Sequence, residues 1–258
     1  MRILLRLEAL KNCIYDMKYF HKLQGFIYRL LKETEYRVLH DKKGYKFFCF
    51  SNIFPIGDMK VGDKRNLIIS SPDVLFIKFL AEKIEELKNM KKPINIGEML
   101  FEIEDFLILK TKLEKSTRIV SATPIVIRIP ERNYDKYGIP KKFRKKRFVY
   151  WRPTYPFEAF VKQLEENLFK KYNEFYKTKI EEFQIFEQFK CIKEKPIVCN
   201  VIIDGKEQQI IGTLWEFIFS YLNKEQKKIL EFGIDCGFGE RNSLGFGFMN
   251  IMNKLLIC

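Results

Sequence analysis

The sequence predicts an α+β protein made of two tandem ferredoxin-like (βαββαβ) domains. Three observations carry this. From Met1 to Lys112, strand-length apolar runs and one-stripe amphipathic stretches follow the order strand, helix, strand, strand, helix, strand, which is the split βαβ unit. The remainder repeats that order less cleanly, as a pattern without a close sequence repeat. Apolar residues make up 47% of the 258 positions, enough to give each half a core.

In the first half, residues 1–7 read as a strand, and Tyr19 to Glu33 as a helix. Leu23, Phe26, Ile27, Leu30 and Leu31 recur at helical spacing and form one stripe. A polar loop carrying His40 follows, then strands over Lys46–Phe50 and Asn66–Ser70. Ser71-Pro72-Asp73 predicts a helix start: a hydroxyl cap, proline in the first turn, and an acid near the positive dipole end. That helix runs to Asn89, and Ile94–Lys112 supplies one or two more strands. The polar stretch Lys112–Thr117 predicts the boundary, giving domains over residues 1–115 and 116–258.

In the second half, Arg118–Ile129 reads as a strand interrupted by Pro124, which points to an edge or a bulge. A basic excursion leads to a helix over Pro156–Thr178. Strands are expected near Phe189–Lys193, Ile197–Ile203 and Gln208–Tyr221. Asn223 with Gln226 forms a capping box opening a helix to Phe232. A glycine-rich loop and a last strand, Phe246–Met252, complete the pattern.

Charge gives the first functional direction. Forty-seven Lys and Arg face 33 Asp and Glu, a formal +14. Such a surplus attracts polyanions, nucleic acid before an anionic membrane surface, although it also serves solubility alone. Apolar runs such as Phe79-Leu80-Ala81 fall far short of a membrane span. Arg6 and Glu8 break the N-terminal apolar run too early for a signal-peptide core, so a cytoplasmic protein is expected. Six cysteines form no C-x-x-C pair and only two histidines accompany them, so reduced thiols are expected and no metal site.

Two segments stand out chemically. Gly237, Gly239, Gly245 and Gly247 alternate with Phe238, Phe246 and Phe248 across the loop before the last strand. Such a loop can turn its N–H groups into a phosphate nest, with Arg241 and Asn242 as further donors. It can equally be a turn that only packs. It is no dinucleotide fingerprint, because it leads into a strand, and no Walker loop, because Gly-Lys-Ser/Thr is missing. The second segment places Lys141, Lys142, Arg144, Lys145, Lys146 and Arg147 within seven residues, interleaved with aromatics up to Trp151. Phosphates are natural counterions for that run and its aromatics could stack on bases, so RNA contact is expected, more to phosphate than to base. The plainer reading is a solvated loop.

The pattern G-x-G-x-x-x-S-x-G-x-G over Gly237–Gly247, with Ser243 at its serine, resembles the signature of the CRISPR-associated repeat-RNA endoribonucleases, the Cas-six family of the RAMP superfamily. Leu23-Gln24-Gly25-Phe26-Ile27-Tyr28 is similar to the family's first-helix pattern. Leu39-His40-Asp41 followed by Lys46–Ser51 resembles its active-site loop and next strand, and Thr123-Pro124-Ile125 the segment opening its second domain. The resemblance implies two RRM-like domains and cleavage of precursor CRISPR RNA within repeats. The cut would be a metal-free attack by the RNA 2′-hydroxyl, leaving a 2′,3′-cyclic phosphate and a 5′-hydroxyl. It implies catalysis by Tyr28, His40 and Lys46, with Lys46 stabilising the phosphorane and the acid and base roles of the other two open. Repeat RNA is the implied partner and no cofactor is expected; effector-complex subunits and a second copy of the chain stay open. The alternative is a non-catalytic RNA-binding subunit of the same superfamily.

The residues allow these roles without compelling them. At 100° per residue, Tyr28 lies roughly 130° from the centre of its helix's apolar stripe, on a face with His21, Gly25 and Lys32. An ordinary surface tyrosine would sit there too. His40 lies in a polar loop among Arg37, Asp41, Lys42, Lys43 and Lys46. Imidazole is the side-chain type best suited to proton transfer near neutrality. A solvated loop histidine and one more surface lysine are the plain alternatives for His40 and Lys46. His21, on the exposed side of its helix, receives no role.

Overall fold

The computed structural model describes residues 1–144, 146–203 and 205–252. In the first half the elements are β1 (Arg2–Ala9), α1 (Phe20–Leu30), β2 (Cys49–Phe50), β3 (Lys64–Ser70), α2 (Val74–Asn89), β4 (Ile94–Ile96) and β5 (Met99–Leu109). They form one antiparallel sheet in the order β2-β3-β1-β5-β4. Its register sets Leu5 of β1 opposite both Leu67 and Phe106. Alternation along β1 sends Ile3, Leu5, Leu7 and Ala9 to one face, all buried. The stripes of α1 (Leu23, Phe26, Ile27) and α2 (Phe76, Ile77, Leu80, Ile84) close over that face.

The second half holds β6 (Thr117–Ser121), β7 (Arg128–Pro130), β8 (Phe148–Tyr150), α3 (Phe157–Tyr176), β9 (Gln188–Cys191), β10 (Ile197–Ile203), β11 (Lys206–Gly212), β12 (Trp215–Phe219), α4 (Lys224–Cys236) and β13 (Met249–Met252). Its antiparallel sheet runs β13-β6-β12-β9. Counting only the strands of each main sheet, and setting the β4 extension aside, both sheets follow the strand order fourth, first, third, second. The fold is therefore a tandem ferredoxin-like α+β architecture. The second copy reads less cleanly in sequence because two hairpins, β7–β8 and β10–β11, interrupt it.

The halves meet over a shared seam. Phe20 and Phe246 stack with centroids 5.1 Å apart. Arg2 donates to the carbonyls of Ile234 (3.1 Å) and Met249 (2.5 Å). Asp235 accepts from the Met1 amine and, at 2.5 Å, from Thr111.

Several expected boundaries move for identifiable reasons. Asp73, not Ser71, caps α2, accepting from Leu75 N and Phe76 N. Ser71 Oγ instead donates to Phe47 O at 2.7 Å and accepts from Asp73 N. The strand expected over Lys46–Phe50 shrinks to two residues because Phe47 takes a left-handed backbone, φ 52°. Pro124 lies past the end of β6, which is a central strand, so it is neither on an edge nor in a bulge of that ladder. The expected strand over Gln208–Tyr221 splits at Thr213, which bridges to Ile125. The capping box at Asn223 and Gln226 is present, and its helix continues to Cys236. Among the described residues no helix is long and apolar enough to cross a membrane.

Candidate active site and RNA-facing cleft

A cleft of about 930 Å³ opens between the halves. From the first half, α1 presents Gln24 and Tyr28, one helical turn apart. A short 3₁₀ turn, Glu35–Leu39, capped by the Thr34 side chain, returns the chain to set His40 beside Tyr28. Their rings meet edge-on with centroids 5.4 Å apart. Lys46 Nζ donates to Tyr28 Oη at 2.8 Å and to the His40 carbonyl at 3.0 Å. Tyr28, His40 and Lys46 thus converge, although Lys46 sits in the loop and not at a strand start.

His40 is 69% exposed and its Nδ1 lies 2.6 Å from Asp41 Oδ1. Burial lowers the Lys46 pKa, with Asp41 opposing and Lys42 reinforcing the shift. Burial raises the Tyr28 pKa above the usual phenol range, the Ser243 side chain opposing and Asp41 adding to it. The phenol therefore keeps its proton at neutral pH. The end of the loop is anchored in the other half, where the Phe47 ring packs on Phe175 (5.1 Å).

The glycine-rich loop supplies the opposite wall. Several of its N–H groups are spent within the protein. Phe238 N bonds Gly247 O, Glu240 N bonds Val126 O, Gly245 N bonds Asn242 O and Gly247 N bonds Pro124 O, all within 2.7–2.9 Å. Gly237, Gly239, Gly245 and Gly247 are buried. A Cβ at Gly245 would strike the Phe50 ring and one at Gly247 the Phe238 carbonyl, and both residues have positive φ. Closely apposed backbone and side-chain atoms leave no room for a Cβ at these glycines. Asn242 spends its amide hydrogens on Phe238 O (3.0 Å) and Phe246 O (2.9 Å). Arg241 and Ser243 face the cleft. Ser243 accepts from Gln24 through its carbonyl (2.8 Å) and hydroxyl (3.3 Å).

The basic run divides as well. Lys141, Lys142, Lys146 and Arg147 are exposed. Arg144 pairs with Asp135 and donates to Ile139 O at 2.9 Å. Lys145 lies outside the described residues. The aromatics are not free platforms: Trp151 is buried, its ring 4.9 Å from Phe160, and Phe143 packs on the second core. The run extends from the far end of β8, whose Tyr150 end pairs with cleft-lining Arg128.

Sequence reading missed Gln24, Arg128, Glu240 and Lys171 as cleft residues. Arg128 pairs with Glu240 and its guanidinium stacks over Phe148 at 4.7 Å. Nothing in a single sequence marks that pairing across 112 residues. Lys171 did leave a signal: it falls on the stripe Leu164, Leu168, Lys171, Phe175, where an apolar residue belongs. His21, expected on an exposed face, is half-buried in a separate groove with Arg29 and Pro93. Among the described residues no three His, Cys, Asp or Glu side chains are grouped to hold a metal ion.

The family described as "CRISPR associated protein Cas6, C-terminal" matches residues 109–251. A relative named CRISPR-associated endoribonuclease Cas6 2, from Methanocaldococcus jannaschii, is 32% identical, covering 97% of this chain and 99% of its own. A CRISPR-associated endoribonuclease Cas6 from Haloferax mediterranei is 30% identical over 98% of this chain and 94% of its own. A solved structure described as "An RAMP protein binding different RNA substrates" superposes with a TM-score of 0.70, at 22% identity, covering 98% of this chain and 100% of that one. The likeness spans both halves, and the chain belongs to the Cas6 family.

Proposed function

We propose that this protein is an endoribonuclease that binds CRISPR repeat RNA and cuts precursor CRISPR RNA within its repeats. Relatives named as endoribonucleases over nearly the full length support the class of activity. The observation that carries the chemistry is the meeting of Lys46 Nζ, Tyr28 Oη and the His40 ring at the mouth of one cleft.

The RNA 2′-oxygen bonds to phosphorus while the bond from phosphorus to the 5′-oxygen breaks. His40 takes the 2′-hydroxyl proton through Nε2, with Asp41 holding Nδ1. Tyr28 gives its proton to the departing 5′-oxygen. Lys46 donates to the phenol oxygen, which leaves the phenolic hydrogen free to point at substrate. The imidazolium then returns a proton to the phenolate through solvent. The Lys46 ammonium stabilises charge on the phosphorane. The products are a 2′,3′-cyclic phosphate and a 5′-hydroxyl, and no metal takes part.

Phosphates flanking the cut lie along Arg241 and Ser243, with the exposed Lys141, Lys142, Lys146 and Arg147 holding RNA further out. The test is incubation of the protein with end-labelled repeat RNA in excess chelator. A single cut carrying a cyclic phosphate supports the proposal. Binding without cutting would leave the non-catalytic subunit as the reading.

A further inference from the structure

We infer that Lys171, in the C-terminal third of α3, is a positioning residue for the RNA-facing wall of the cleft, an inference that rests on the proposed RNA-binding role. Lys171 is 1% exposed. A lysine is stable so deep only if its ammonium is fully bonded. Here three oxygens surround it: Gly237 O at 2.5 Å, Gly239 O at 3.0 Å and Asn242 Oδ1 at 3.0 Å. All three belong to the first half of the glycine-rich loop, so one cation beneath the loop gathers that half.

The link continues outward. Asn242, held by Lys171, ties Phe238 and Phe246 through its amide. The next residue, Ser243, receives Gln24 from α1, one turn from Tyr28. A buried charge in the second half thereby fixes Arg241 and Ser243 relative to the catalytic helix of the first. Burial lowers the Lys171 pKa, and its neighbours Cys236, Cys49 and Glu240 oppose that shift.

A merely structural lysine would change stability and leave a folded variant's RNA affinity alone. A positioning lysine changes the RNA concentration needed for half-maximal cutting even where the variant is folded. The experiment is single-turnover cleavage of repeat RNA by the wild type and Lys171→Met, well below the variant's melting temperature, with circular dichroism confirming the fold. The inference predicts that half-saturation rises about tenfold, the loss expected when a charge-assisted contact no longer holds the loop. The maximal rate should stay within about threefold. A folded variant with half-saturation within about twofold of wild type would overturn it. If Lys171→Met does not fold, Asn242→Ala, which cuts the same link one residue outward, is read by the same criteria. A wild-type protein that neither binds nor cuts repeat RNA would instead sink the proposed function.

Discussion

Between Leu39 and Phe47 the chain is mostly exposed and loosely tied, whereas between Gly237 and Phe248 it is mostly buried and cross-bonded. The two loops face each other across one cleft, and the first carries the groups proposed to exchange protons. The His40 side chain leans on an adjacent aspartate and is 69% exposed. The glycine loop has several N–H groups bonded within the protein, its glycines fitted against Phe50 and a carbonyl, and a buried ammonium beneath it. The difference teaches that the molecule separates chemistry from support. On the proposed function, reactive groups sit where RNA can reach them, and the cross-bonded wall opposite sets where the RNA lies.

That contrast can be broken from either side. The largest effect belongs to the exposed loop: His40→Ala should slow cleavage by about two to four orders of magnitude. Its melting temperature should not change, because so exposed a side chain contributes little packing. Rate and thermal melt on one preparation check both halves of that statement. The buried loop should behave in the opposite way. Gly247→Ala should lower unfolding free energy by about 2–4 kcal/mol in a denaturant titration, through positive-φ strain and collision with the Phe238 carbonyl.

A pH series sharpens the comparison. Burial lowers the Lys46 pKa below that of a free lysine, so its ammonium is lost as pH rises through that lowered value. Cleavage should therefore decline on the alkaline side below about pH 10.4, the ordinary lysine value. Lys46→Arg, whose cation does not deprotonate in this range, should remove that decline from whatever activity it retains. The smallest effect falls on the basic run: Lys141→Ala should weaken RNA binding severalfold and reduce the salt slope of the affinity by about one, with the maximal rate unchanged.

The fold was legible wherever local pattern and tertiary role agree. The stripe Leu23, Phe26, Ile27, Leu30 is the buried face of α1, and the Asn223 box opens α4. Legibility failed where a long-range partner decides. Ser71 has the chemistry of a cap, but its hydroxyl is taken by Phe47 O, which no local rule foresees. The β10–β11 hairpin hid the second sheet's order because its strands are as regular as those of the sheet it interrupts. In the cleft, the resemblance carried Tyr28, His40 and Lys46, whereas periodicity alone left Tyr28 as a surface tyrosine. The glycines left a phosphate nest and a packed turn equally open because sequence shows their freedom and not their surroundings. Trp151 read as a base platform because its partners Phe160 and Trp215 come later in the chain.

The account stands on the RNA supplying its own nucleophile at a site held by Tyr28, His40 and Lys46. The direct measurement uses repeat RNA with one 2′-deoxy nucleotide at the mapped cut. The account predicts binding equal to that of unmodified RNA and no cleavage at that position. Continued cutting there at an undiminished rate would contradict it.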